Sequence, residues 1–96
     1  MTYRLTKQAD QDIVEIYSLG AEQFGVVQAD RYANDLFDTL ELLASNPRIA
    51  RERSELKPPV RLHPFGAHLI AYLVRSDHIL IVRVLHGRKD WHSLFS

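Results

Sequence analysis

The residues with the most chemical potential lie in one run, His78-Ile-Leu-Ile-Val-Arg-Val-Leu-His-Gly-Arg-Lys-Asp-Trp91. Residues 79–85 are apolar except for Arg83. A guanidinium loses too much hydration in such a run unless it meets a partner or faces a site. His86, Arg88 and Asp90 follow directly on a Gly87 turn, with Trp91 next in the chain. Upstream, Arg61 and His63 share one side of a short strand, and with Arg83 and His86 they make a set able to stabilise phosphate charge and shuttle a proton. Each of these residues also has a structural reading. Arg83 suits an ion pair with Asp90 or Glu55, Arg88 and Asp90 a turn-stabilising pair, and His86 a turn cap. Trp91 is by position a tail aromatic, either packed back or held out as an anchor for a partner. His63, His68, His78, His86 and His92 show no His-x-x-x-His spacing and cysteine is absent, so neither a metal site nor a disulfide is expected, and no cofactor is implied.

These groups need elements to position them. Residues 3–5 alternate as a short strand, and Thr6 is a candidate N-cap with Asp10 and Asp12 early in the helix that follows. Ala9, Ile13, Ile16, Tyr17, Gly20 and Phe24 recur at helical spacing, which predicts an amphipathic helix over 7–24 that Gly25 stops. Ala29, Ala33, Leu36, Leu40 and Leu43 predict a second helix over 27–44, ended by Ser45-Asn46-Pro47. The brief Gly25 turn makes the two an antiparallel hairpin. Residues 46–59 form a long irregular stretch with Pro58-Pro59 near its end. Strands are expected at 60–63, 69–74 and 79–85, with turns at 64–67 and 76–77, and the tail 90–96 adds a partial helical turn with Trp91 and Leu94 packing back. Tyr72, mid-strand, reads as core.

The result is one α+β domain spanning 1–96: a short N-terminal strand and a helical hairpin packed on a small antiparallel sheet, in the order β-α-α-β-β-β. The hairpin covers one sheet face and leaves the other partly open. Arg61 and Arg83 are expected to project from the open face, with Ile81 and Leu85 forming an apolar patch there that needs a cover. No stretch is long enough for a membrane span and no secretory signal is evident, which fits a cytoplasmic protein. Net charge is zero but uneven: residues 1–45 hold three basic and eight acidic side chains, residues 46–96 nine basic and four acidic. Such polarity suits an anionic partner on one side, whereas zero net charge argues against a protein whose main work is gripping nucleic acid.

The element order, Gln28-Ala29-x-x-Tyr32, Leu43-Ala44-x-x-Pro47, Arg61, His68-x-Ile70-x-Tyr72 and Ile81-x-Arg83-Val84-Leu85-His86-Gly87-Arg88-x-Asp90 together resemble the ParE branch of the ParE/RelE superfamily of bacterial toxins. The resemblance covers almost the whole chain. It implies the toxin half of a type II toxin–antitoxin module, neutralised in a hetero-oligomer by a ParD-like cognate antitoxin. For the ParE branch it implies DNA gyrase as target, stabilised in its cleaved-DNA state, with DNA met only indirectly through antitoxin or gyrase. Plasmid stabilisation belongs to the same picture. The RelE branch instead cleaves mRNA on the ribosome, with basic residues and a tyrosine near the C-terminus. Here the tail offers Trp91 and His92, and indole cannot transfer a proton. The expected role is therefore a protein–protein inhibitor rather than an enzyme, with Arg61, Arg83, His86, Arg88, Asp90 and Trp91 contacting the target. A disordered antitoxin tail folding on binding would supply the missing cover.

Overall fold

The computed structural model describes residues 1–95 and contains β1 (Thr2–Leu5), α1 (Lys7–Phe24), α2 (Val26–Ser45), β2 (Arg61–Phe65), β3 (His68–Val74), β4 (His78–His86) and α3 (Trp91–Leu94). Ser96, the end of the expected tail turn, lies outside the described residues. Thr6 starts α1 as its spacing predicts: its side chain accepts from the Ala9 N–H at 3.0 Å. Gly25, at φ 91°, separates α1 from α2 in a conformation that L side chains rarely adopt.

The sheet order is β1-β4-β3-β2. β2, β3 and β4 are antiparallel neighbours, but β1 runs parallel to β4, with Thr2 opposite His78 and Leu5 opposite Ile81. The sheet is therefore mixed rather than antiparallel throughout. Parallel pairing needs a long crossover, and the helical hairpin is part of the connection that carries the chain from β1 to the rest of the sheet.

The hairpin covers one sheet face. Ile13, Leu36, Leu40, Leu43, Ile70, Tyr72, Ile79, Ile81 and Val84 form the main core there, each at most 7% exposed. The opposite face is less open than the sequence predicts. Leu56, Val60, Ala71, Trp91 and Phe95 make a second cluster on it, with Leu62, Leu69, Leu73, Val82 and Leu85 packed around them. Ile81, expected on the open face, is fully buried in the main core.

A β-bulge explains the shift. Tyr72 pairs with Ile81, but Ala71 pairs with Arg83, so Val82 is an extra residue in β4. The start of α1 stitches this irregularity in place. The Thr6 N–H donates to Ile81 O at 3.0 Å and the Thr6 hydroxyl donates to Val82 O at 2.8 Å.

Candidate functional site

Arg83 does not project from the open face. Its Nε and Nη2 donate to Asp12 at 2.8 and 2.9 Å in a two-pronged pair, and the Val84 N–H donates to the same carboxylate at 3.1 Å. The partner is neither Asp90 nor Glu55 but a residue of α1, 71 positions earlier in the chain. The carboxylate holds the Arg83 pKa above its ordinary value, so the charge is permanent. The bulge places the guanidinium and the Val84 N–H together on one acceptor.

The other expected site residues are scattered. Arg61 opens β2 and donates to Ala50 O at 2.7 Å, while Tyr72 opposite it donates to Pro47 O at 2.8 Å. Together they fasten the segment 46–60. Trp91 is 7% exposed and stacks on Phe95 at 5.7 Å, so it packs back instead of standing out; Phe95 is buried with it, while Leu94, expected to do so, is 45% exposed. Asp90 caps α3, accepting from the Ser93 N–H and hydroxyl, bonds that hold its pKa below the usual carboxylate range. His86 accepts from the Arg88 N–H at 3.1 Å, the turn cap that its position allows. His86, Arg88 and Asp90 are exposed.

Nor do Arg61, His63, Arg83 and His86 converge. Arg61 lies across from Tyr72 and His86 across from His68, positions four residue steps apart on β3. That is about 13 Å along the strands. Arg83 turns to Asp12, and His63 Nδ1 is buried without a hydrogen-bond partner among the described residues.

What the fold assembles instead is a groove of about 780 Å³ between the hairpin and the near ends of β3 and β4. All the buried residues of α1, Ala9, Asp12 and Ile13, lie in its first half. Its second half runs on with Ile16, Leu19, Gly20 and Phe24 facing the groove. From Asp12 to Phe24 the groove follows α1 for about 18 Å, three helical turns. Leu19 and Phe24 are 48% and 67% exposed on its rim, and Val26 and Val27 at the hairpin tip are 59% and 74% exposed.

One end of this groove is polar. Tyr32 of α2 reaches across to β3, its hydroxyl 2.8 Å from His68 Nδ1 and 3.3 Å from Phe65 O. Burial pushes the Tyr32 pKa up. His68 sits directly opposite His86, ring centroids 5.8 Å apart and edge-on. Burial, and then the neighbouring His86, lower the His68 pKa. Gly66 makes room for this contact: at φ 55°, a Cβ there would lie 2.5 Å from Tyr32 Oη.

Nothing in the sequence alone marks a role for Tyr32 or His68, and Asp12 stands there only as a partner of the helix dipole. A signal for Asp12 was present: it lies three residues after Ala9 and four before Ile16, on the apolar stripe itself. An isolated acid in one apolar face and an isolated base in another are natural partners.

Comparisons with known proteins agree with this fold. The family described as "ParE toxin of type II toxin-antitoxin system, parDE" matches residues 3–91. Among similar proteins, Toxin ParE1 of Mycobacterium tuberculosis (strain ATCC 25618 / H37Rv) is 35% identical over 89 residues, covering 92% of this chain and 91% of that one. Toxin ParE1 of Caulobacter vibrioides is 33% identical over 84 residues, with 88% and 86% covered, and Toxin ParE of Escherichia coli 30% identical over 89, with 92% and 86% covered. A solved structure described as the chromosomal ParDE TA system from P. aeruginosa superposes with a TM-score of 0.76 at 22% identity, over 90% of this chain and 95% of that one. With an α+β fold of one strand, two helices and three further strands in a four-stranded mixed sheet, the chain belongs to the ParE toxin family of type II toxin–antitoxin systems.

Proposed function

We propose that this toxin stops growth by binding DNA gyrase and holding it in its cleaved-DNA state, in the cytoplasm, and that a ParD-like antitoxin neutralises it. One observation carries the choice of a binding protein over a ribonuclease: the two arginines of the acid–base set are engaged in the fold, and the set does not converge. Arg83 is held by Asp12, and Arg61 holds the 46–60 segment through Ala50 O. The exposed His86, Arg88 and Asp90 remain the candidates for target contact. Arg61, Arg83 and Trp91 serve that surface by fixing the segments around it. No helix is long and apolar enough to cross a membrane among the described residues.

The groove supports the antitoxin half of the reading. It is about three helical turns long, walled by apolar side chains and rimmed by Leu19 and Phe24, the shape and chemistry that seat an amphipathic helix. Exposed apolar rims of this kind stay covered in a stable partner complex.

The test is a supercoiling and cleavage assay with purified gyrase, plasmid and toxin. Linear and nicked plasmid should accumulate after detergent treatment and disappear when antitoxin is added first. No cleaved complex, with supercoiling unaffected, would overturn the gyrase reading. A parallel translation extract should keep its mRNA intact at doses that stop growth; cut message would move the protein to the ribonuclease class.

A further inference from the structure

We propose that the end of the groove at His68, His86 and Lys89 is a carboxylate-binding subsite, taking one acidic side chain of the antitoxin segment that lies in the groove. This rests on the reading of the groove as the antitoxin's seat and adds the chemistry that fixes the segment's register.

The two imidazoles are placed, not incidental. They are direct cross-strand partners, and each already has its Nδ1 engaged: His68 with Tyr32 at 2.8 Å, His86 with the Arg88 N–H at 3.1 Å. That leaves Nε2 of each ring as the atom to meet a ligand. Because His86 Nδ1 is an acceptor, its neutral tautomer carries the proton on Nε2, a donor. His68 behaves the same way when Tyr32 donates to it.

Protonation of His68 does not break its anchor. The new Nδ1–H donates to the Tyr32 oxygen, and the Tyr32 hydroxyl hydrogen turns to Phe65 O, 3.3 Å away. Nε2–H remains a donor on a ring that lines the groove, now with a full positive charge. The packing of Tyr32 over Gly66 holds the ring through both states.

The charges around the pair favour an anion. From α1, Asp12 is neutralised by Arg83 of β4, and Tyr17 is bonded to Asp30. Glu15 is the one groove carboxylate outside an ion pair among the described residues. Against it stand Lys89, the neutral His86 Nε2–H and, when protonated, His68; among the described residues Tyr32 is the one titratable group of α2 that lines the groove. Free of ligand, the His68 site disfavours the charged form, through burial and its neighbour. An incoming carboxylate reverses the balance, so His68 gains affinity for a proton when the groove fills, while His86 meets the carboxylate through its neutral Nε2–H.

Binding must then take up protons. Affinity strengthens as pH falls through the His68 pKa of the complex and levels off below that of the free chain. The experiment is titration calorimetry of the toxin with its cognate ParD-like antitoxin, repeated across the histidine range, about pH 5.5 to about pH 8. Kd should fall by about tenfold from the alkaline to the acid end, with proton uptake seen as a dependence of the heat on buffer ionisation. His68→Gln/His86→Gln keeps hydrogen-bonding side chains and should give a flat profile at the wild-type alkaline value. A flat wild-type profile, or a double variant that keeps the slope, would overturn the subsite. Leu19→Asp, on the exposed rim, separates the two readings. If it weakens binding at every pH while the slope persists, groove and subsite both stand. Weaker binding with no wild-type slope sinks the subsite alone. Unchanged affinity shows that the antitoxin sits elsewhere, and both fall.

Discussion

A carboxylate that is 7% exposed and accepts from Arg83 Nε, Arg83 Nη2 and the Val84 N–H has little access to replacement water. Removing it strands a guanidinium and a buried amide at once. Asp12→Ala should therefore destabilise the protein by about 2–4 kcal/mol, below the fully buried limit because the Arg83 side chain keeps some access to solvent. Asp12→Leu/Arg83→Met, which removes both charges, should cost less than Asp12→Ala alone. Urea unfolding of the three proteins checks the order; equal losses would mean that the pair is not a coupled unit. Arg88 is the opposite case. It is exposed, and Arg88→Ala should shift stability by no more than about 0.5 kcal/mol. If Arg88 contacts the target, growth arrest should nevertheless weaken, and a stable, fully toxic Arg88→Ala variant would remove it from the contact surface. The sequence makes the need of Arg83 for a partner plain but not the partner's identity, because Asp12 also suits a plain helix-dipole role.

The helices are the elements most legible from sequence. Their apolar stripes, the Thr6 cap and the Gly25 and Asn46-Pro47 stops place α1 and α2 to within a residue or two. The strands are visible as apolar runs, but their faces are not. In the continuous run 79–85, a single extra residue, Val82, changes which side chains share a face beyond it, and nothing in the run marks the bulge. The parallel pairing of β1 with β4 is equally silent, since it joins segments more than 70 residues apart. The short α3 is an element whose hold is testable by its own residues. Asp90 caps it, and Trp91, the one tryptophan of the chain, reports on it. Asp90→Ala should release the tail, with Trp91 emission moving to the red at lower urea than the far-ultraviolet signal of α1 and α2. The Asp90 pKa is depressed by its bonds to Ser93. Its stabilisation is therefore present above the unfolded carboxylate pKa and is lost as pH falls through the lower, folded value. An acid titration should show Trp91 exposure below the usual aspartate range in the parent and a weaker acid transition in Asp90→Ala. At the β2–β3 turn, Gly66→Ala meets both a left-handed backbone and the Tyr32 hydroxyl, and should lose about 1–3 kcal/mol. Tyr32→Phe alone should lose about 1 kcal/mol. Thermal or urea unfolding checks both, and a neutral Gly66→Ala would show that the turn can relax away from Tyr32.

At the scale of the whole molecule, the two sheet faces are treated differently from the hairpin tip. The 46–60 segment and α3 reduce the exposure of the second sheet face, so the uncovered apolar surface is not where the sequence places it. It lies instead at the far end of the hairpin, where Phe24, Val26 and Val27 stand 67%, 59% and 74% exposed beside Leu19. Those side chains contribute little to the fold, because most of each is already in water. Keeping several together is costly for a free protein, since an apolar patch invites self-association and aggregation. The arrangement is reasonable for a chain that is normally held by a partner across the hairpin end of the groove. Phe24→Ser/Val27→Ser should then leave the unfolding free energy, measured in urea, within about 0.5 kcal/mol of the parent. It should reduce the binding of a hydrophobic dye by the free toxin and raise the antitoxin Kd by about 10- to 100-fold, or about 1.4–2.8 kcal/mol. The dye result and the affinity result test separate links. Reduced dye binding with unchanged affinity would mean that the patch is exposed but that the antitoxin covers another surface. A fall in stability of several kcal/mol would instead make these residues part of the core, and the hairpin tip would no longer be a docking surface.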